Sequence, residues 1–325
     1  MINARRVGTG LSVGAAVIGI LYVDILTGTV WATCTMIAIL LAQALREAYA
    51  LLRGAGVATN SRVAIGTAFA LLLLRAAADP LGLSPGEART ILFAGLGCAM
   101  TAPLMLAIAR GPAQSTSSTA AAEEVVGGEA DSEAQLTSAA TDAPQIGPTP
   151  ADLIRAGATA LPLAWVALLG AFLLELRLIP GTAAHDIPLG LGLCFIVIAS
   201  VKLGDSAAYF VGKTLGRHPM CWVSPKKTWE GSLASIVGAI AVAVLLGDVL
   251  GLDDRLMAGL GLVCNLAGQG GDLVESYFKR AVSAKDSTTT FGEMGGILDM
   301  LDALLFAAPA GYIWCELLIV RAMPL

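Results

Sequence analysis

Three short polar stretches interrupt an otherwise apolar chain, and each carries residue types suited to phosphate chemistry. The richest is GGDLVESYFKRAVSAKDSTTTFGEMGGILDMLD, residues 270–302. Within it Asp272, Glu275, Ser276 and Lys279 fall at i, i+3, i+4 and i+7, the spacing of one helix face. Arg280, Lys285 and Asp286 follow, then Gly292 and the Gly295-Gly296 pair. Asp299 and Asp302 are three apart, so they share a face at the start of the next helix. Several carboxylates are thereby set beside several cations. Carboxylate oxygens are the hard ligands that hold Mg²⁺, which keeps waters and bridges substrate phosphates. Metal, lysine and arginine together stabilise charge that develops on a transferred phosphate.

The second stretch, SPKKTWEGS at residues 224–232, pairs Lys226 with Lys227 and adds the Ser224 and Thr228 hydroxyls in a loop stiffened by Pro225. It suits a polyphosphate or a lipid phosphate, although adjacent lysines beside a membrane also meet anionic headgroups nonspecifically. The third, GDSAAYFVGKTLGR at 204–217, places Asp205 at the end of an apolar run, with Tyr209, Gly212 and Lys213 at near-helical spacing. A carboxylate at a membrane boundary is costly unless hydrated, paired or bound to metal. His185 and His218 have no metal-ligand neighbours in sequence and read as surface histidines.

Other chemistries find no support. The six cysteines are scattered singly, without CxxC or zinc spacing. There is no GxxxxGK[ST] phosphate loop. The net charge of −5 and the lack of a basic stripe with interleaved aromatics argue against a nucleic-acid partner.

The elements that must position these residues are membrane helices. Hydrophobic residues make up 56% of the chain and charged ones only 14%, far below a soluble domain. Measured against the roughly 20 apolar residues that span a bilayer, nine helices are predicted. They run near 9–23, 26–44, 62–78, 89–109, 153–177, 187–204, 232–251, 256–271 and 297–320. The first follows Arg5 and Arg6 without a small-residue cleavage site and reads as a retained helix. With a cytoplasmic N-terminus, only Arg75, Arg89, Arg177, Arg255 and Arg321 of the 20 basic residues fall on the far side. That asymmetry is the one expected of cytoplasmic loops, and it puts all three polar stretches on the cytoplasmic side. The expected architecture is therefore all-α, polytopic and integral to the membrane.

Residues 111–150 differ in kind, being rich in Ser, Thr, Ala, Gly and Pro, acidic, and without Lys or Arg. Such a segment buries too little apolar surface to offset its ordering entropy and reads as a disordered linker. It divides the chain into an N-terminal four-helix part, 1–110, and a C-terminal five-helix part, 151–325, which carries the polar stretches.

The 270–302 stretch resembles the C-terminal signature of the phosphatidate cytidylyltransferase family. That signature runs S-x-apolar-K-R, four residues, K-D, then through P-x-H-G-G to D-R-apolar-D. Ser276, Lys279, Arg280, Lys285, Asp286, Gly295, Gly296, Asp299 and Asp302 match with spacing kept. GDSAAYFVGK and SPKKTWEG are similar to segments upstream in that family, and EAYALLRGAG at 47–56 more weakly so. The resemblance implies CTP and phosphatidate as substrates, CDP-diacylglycerol and pyrophosphate as products, and dependence on Mg²⁺. It leaves a second, monovalent cation and a homodimer open. It implies Asp272, Asp299 and Asp302 as metal ligands, with Asp286 supporting them. It further implies Lys279, Arg280 and Lys285 in catalysis. Asp205, Lys213, Ser224, Lys226, Lys227, Thr228, Ser276, Gly295 and Gly296 are implied around the substrates. An inner-membrane enzyme with a cytoplasmic site follows.

The family's His and Arg stand here as Met294 and Met300, and its proline as Gly292. A permanent bidentate phosphate donor is lost with that arginine. Other CTP-dependent lipid enzymes, such as a polyprenol or phytol kinase or an ether-lipid cytidylyltransferase, remain alternatives, as does a non-catalytic membrane paralogue. A transporter would instead collect its charges near the bilayer midplane in two broken-helix halves.

Overall fold

A computed structural model describes residues 19–78, 81–109, 150–284 and 295–320. Every regular element in these residues is helical, apart from the isolated bridges Thr182–Pro188 and Pro219–Thr228. A helical stretch at 19–27 precedes α1 (Trp31–Gly54), α2 (Ser61–Ala76) and α3 (Pro85–Ala109). Then come α4 (Pro150–Arg177), α5 (Leu189–Leu215), α6 (Trp229–Val249), α7 (Asp254–Ala281) and α8 (Ile297–Ile319). Five of them, α1, α4, α5, α6 and α8, are long and apolar enough to cross a membrane. Helix α7 has the length too, but carries the polar stripe Asn265, Gln269, Asp272, Glu275 and Lys279.

Each expected helix from the second onward coincides with a described one; much of the first lies outside the described residues, as does nearly all of 111–150. The main differences are extensions. Helix α5 does not stop near Gly204 but runs through the GDSAAYFVGK stretch to Leu215. Helix α7 likewise continues from its apolar half through Lys279 to Ala281. Hydropathy marks where a helix leaves the apolar phase, whereas backbone hydrogen bonding carries it on into water.

The core is built from α1, α4, α5 and α8, where Leu41, Leu45, Leu174, Leu193, Ile196 and Leu305 are fully buried. Gly170 lets α4 approach closely, since a Cβ there would run into Leu41 and Leu305. Pro162 cannot donate to the helical ladder, and α4 takes a π-turn at Leu163–Leu168 directly after it. By contrast Leu233, Val237 and Leu245 on α6 are exposed. Such a stripe is a liability in water and is covered by acyl chains in a bilayer.

Buried charges tie the first helices to α4 at the end away from the polar stretches. Arg75 donates to both carboxylate oxygens of Glu175, at 2.6 and 3.0 Å, and Arg89 adds a third contact at 3.3 Å. Arg177 donates to Asp24 at 3.1 Å, while Asp24 also accepts from the Ala32 and Thr33 N–H groups at the start of α1.

Candidate active site

At the other end, α5, α6, α7 and the start of α8 enclose a cleft of about 550 Å³. Helix α5 contributes Lys202, Asp205, Tyr209 and Lys213; the strap before α6 contributes Lys226, Lys227 and Thr228. Helices α7 and α8 contribute Gln269, Asp272, Asp299 and Asp302. Among the described residues, four lysines and four aspartates thus face one volume, an arrangement that binds a polyanion and a cation together.

Local chemistry explains each placement. The strap turns on the Lys227 N–H to Ser224 carbonyl bond at 3.0 Å and is held down by Met220 N–H donating to the Lys227 carbonyl at 2.8 Å. Thr228 is the N-cap of α6, its Oγ1 accepting from Gly231 N–H at 3.2 Å. Lys227 then pairs with Asp272 across the cleft. Deeper in, Ser232 donates to Gln269, whose Nε2 donates to Asn265 at 2.7 Å, and Asn265 donates to Ser235 at 2.9 Å. This chain of side-chain bonds locks α6 against α7.

The start of α8 is set by its glycines. Gly295 has φ +83, a conformation that favours glycine, and a Cβ there would collide with the Asp299 carboxylate. Asp299 Oδ2 accepts from the Gly296 N–H at 2.8 Å, the backward half of a capping box. Its other oxygen accepts from Lys279 Nζ at 3.0 Å, and the same ammonium reaches Glu275 at 2.8 Å. Gly271 allows α7 to lie against the Asp302 carbonyl and the Phe306 ring. From the first part of the chain, Glu47 on α1 accepts from the Leu298 N–H at 2.8 Å and is itself buried.

Carboxylate oxygens of Asp272, Glu275 and Asp302 lie within 4.8 Å of one another. Glu275 is only 1% exposed, and its Oε1 has no hydrogen-bond partner among the described residues. Clustered carboxylates repel, and a buried orphan oxygen loses solvation without return. A hard divalent cation answers both deficits, so these residues fit a metal bound through oxygen.

Of the residues singled out in the sequence, Asp205, Lys213, Lys226, Lys227, Thr228, Asp272, Asp299 and Asp302 all line the cleft. Lys279 stands just behind it, between Glu275 and Asp299. Arg280 is exposed, Ser276 is half-buried, and Ser224 shapes the strap through its carbonyl. Gly295 and Gly296 act through backbone geometry. Lys285 and Asp286 lie outside the described residues. Glu275 joins Asp272 and Asp302 in the acidic cluster, although the sequence assigned it no role. Its place on the 272–279 stripe was the available signal. Lys202 and Gln269 were also missed, and for Gln269 the stripe continued one turn backward would have found it.

A family model described as the cytidylyltransferase family matches residues 4–318. Relatives include phosphatidate cytidylyltransferase 4, chloroplastic, of Arabidopsis thaliana, 38% identical over 125 residues. That match covers 38% of this chain and 32% of the relative. The phosphatidate cytidylyltransferase of Synechocystis sp. is 38% identical over 144 residues, 43% of this chain and 49% of the relative. That of Aquifex aeolicus is 38% identical over 120 residues, 36% and 45% respectively. The chain therefore matches less than half the length of each of these relatives.

Proposed function

Because the chain belongs to the cytidylyltransferase family, we propose that it transfers a cytidylyl group from CTP to phosphatidate, yielding CDP-diacylglycerol and pyrophosphate. The observation that carries this reading is the pairing of a four-lysine cleft with the buried Asp272–Glu275–Asp302 cluster. A triphosphate needs the first, and the cation that accompanies it needs the second. Relatives named for this activity support the choice of acceptor.

In the reaction a phosphatidate phosphate oxygen attacks the α-phosphorus of CTP, and the bond to the bridging oxygen of pyrophosphate breaks. The attacking oxygen is already anionic, so no enzyme nucleophile is required. Positioning and charge stabilisation then dominate. Lys213, Lys226 and Lys227 hold phosphates from the α5 and strap side. Lys279 pairs with Asp299 and orients it, and Asp299 in turn accepts from the Gly296 N–H at the head of α8. Asp272 and Asp302, with Glu275, would hold Mg²⁺, which when bound neutralises charge on the α-phosphate and the leaving pyrophosphate.

The topology that accompanies this reading has nine spans, with the N-terminus and the cleft on the cytoplasmic side of the inner membrane. The asymmetry of basic residues and the coincidence of expected with described helices support it. Residues 111–150 serve as a spacer between the two helical parts.

The test is conversion of radiolabelled CTP to chloroform-soluble product by membranes expressing the chain, with phosphatidate and Mg²⁺ supplied. Product that chromatographs as CDP-diacylglycerol and vanishes in Asp272→Asn is expected. Its absence from membranes containing folded wild-type protein would refute the assignment.

A further inference from the structure

A second cavity, of about 810 Å³, lies where α1 passes into α2. It shares an end of the molecule with the cleft. Glu47 lines it, and the same carboxylate accepts from Leu298, next to the cleft residue Asp299. Three arginines face it, Arg46 and Arg53 from α1 and Arg62 from α2. None of the three forms an ion pair among the described residues. Arg53 donates from Nη1 to Ser61 Oγ at 2.8 Å, which ties the end of α1 to the start of α2.

Two further observations point to a ligand. The Asn60 side chain does not cap α2, so the positive end of that helix opens beside the arginines. Thr59 lines the cavity, and its Oγ1 is buried without a hydrogen-bond partner among the described residues. Guanidinium groups, a helix N-terminus and a spare hydroxyl are together the donor set of a phosphate site. Charge selects the kind of phosphate. Among the described lining residues, three guanidinium charges stand against one carboxylate, Glu47, a surplus of two. A phosphomonoester carries about −1.5 to −2 near neutral pH, whereas a diester carries only one negative charge. Depth selects the source, because α1 is of membrane-crossing length and ends at Gly54, so the cavity sits at headgroup level.

We propose that this cavity binds the headgroup of a phosphomonoester lipid, as a site separate from the catalytic cleft. The assignment stands independently of the cytidylyl-transfer reading.

The experiment is native mass spectrometry of the full chain released from detergent, with phosphatidate as the probe and neither CTP nor Mg²⁺ present. Two equivalents are expected on the wild type, one of them weakened roughly tenfold or more in R53Q/R62Q, as loss of charge-assisted contacts predicts. A single equivalent that is lost in R53Q/R62Q also supports the cavity, and places the failure in the cleft instead. R53K/R62K keeps the charges and should retain most of the binding, which separates a lost site from a misfolded protein. Lipid retained equally by wild type and R53Q/R62Q would overturn the proposal. Phosphatidylglycerol bound as tightly as phosphatidate would overturn the phosphomonoester preference. Displacement of the lipid by an equal concentration of inorganic phosphate would assign the cavity to a soluble anion and overturn the lipid source.

Discussion

Replacing Lys279 by methionine removes a cation that bridges two carboxylates, Glu275 and Asp299, at the head of α8. In the wild type Nζ lies 2.8 Å from Glu275 and 3.0 Å from Asp299, and the Lys279 side chain is only 15% exposed. Methionine fills a similar volume, so the change is mainly electrostatic. Glu275 is buried, and Asp272 and Asp302 already crowd it. Breaking a buried pair by deleting one partner costs about 3–5 kcal/mol, because the surviving charge is stranded. Partial exposure of Asp299 places the expected cost near the lower end, about 3 kcal/mol. In detergent that corresponds to a fall in melting temperature of roughly 6 °C. The double variant Lys279→Met/Glu275→Gln also removes the buried carboxyl that loses its ammonium partner and should recover part of the loss, so the two effects are non-additive. Turnover of CTP should drop in both, since Asp299 loses its partner. Scanning fluorimetry of the purified variants, alongside the radiolabel assay, reads stability and activity separately. A Lys279→Met protein that melts and turns over like the wild type would show that the ammonium does not neutralise the cluster.

Three other outcomes are expected. Gly295→Ala imposes φ +83 on an L-residue and drives its Cβ into Asp299, so it should lose about 1–2 kcal/mol and most turnover, read by melting and radiolabel transfer. Glu175→Gln leaves Arg75 buried without its carboxylate and should cost about 3–5 kcal/mol, far from the cleft, with CTP affinity unchanged in the protein that still folds. Deleting residues 115–145, whose composition reads as a spacer, should leave specific activity in membranes nearly unchanged; its loss despite normal insertion would give that segment a direct role.

Much of this protein follows from its sequence because membrane helices are local objects. Apolar runs of bilayer length mark the helices, and the 3.6-residue period puts Asp272, Glu275 and Lys279 on one face of α7 whatever that helix packs against. Asp299 and Asp302 were likewise assigned to the head of the last helix. What periodicity cannot supply is the register between helices, which depends on where side chains allow backbones to approach. Gly271 against Asp302, and the Ser232–Gln269–Asn265–Ser235 chain between α6 and α7, set that register. Only there did Glu275 come together with Asp272 and Asp302, while Asp299 turned to Lys279 and the Gly296 N–H. Glu47 is the extreme case. Its hydrogen bond to Leu298 joins residues 251 positions apart, and its burial at the head of α8 was decided by tertiary packing alone.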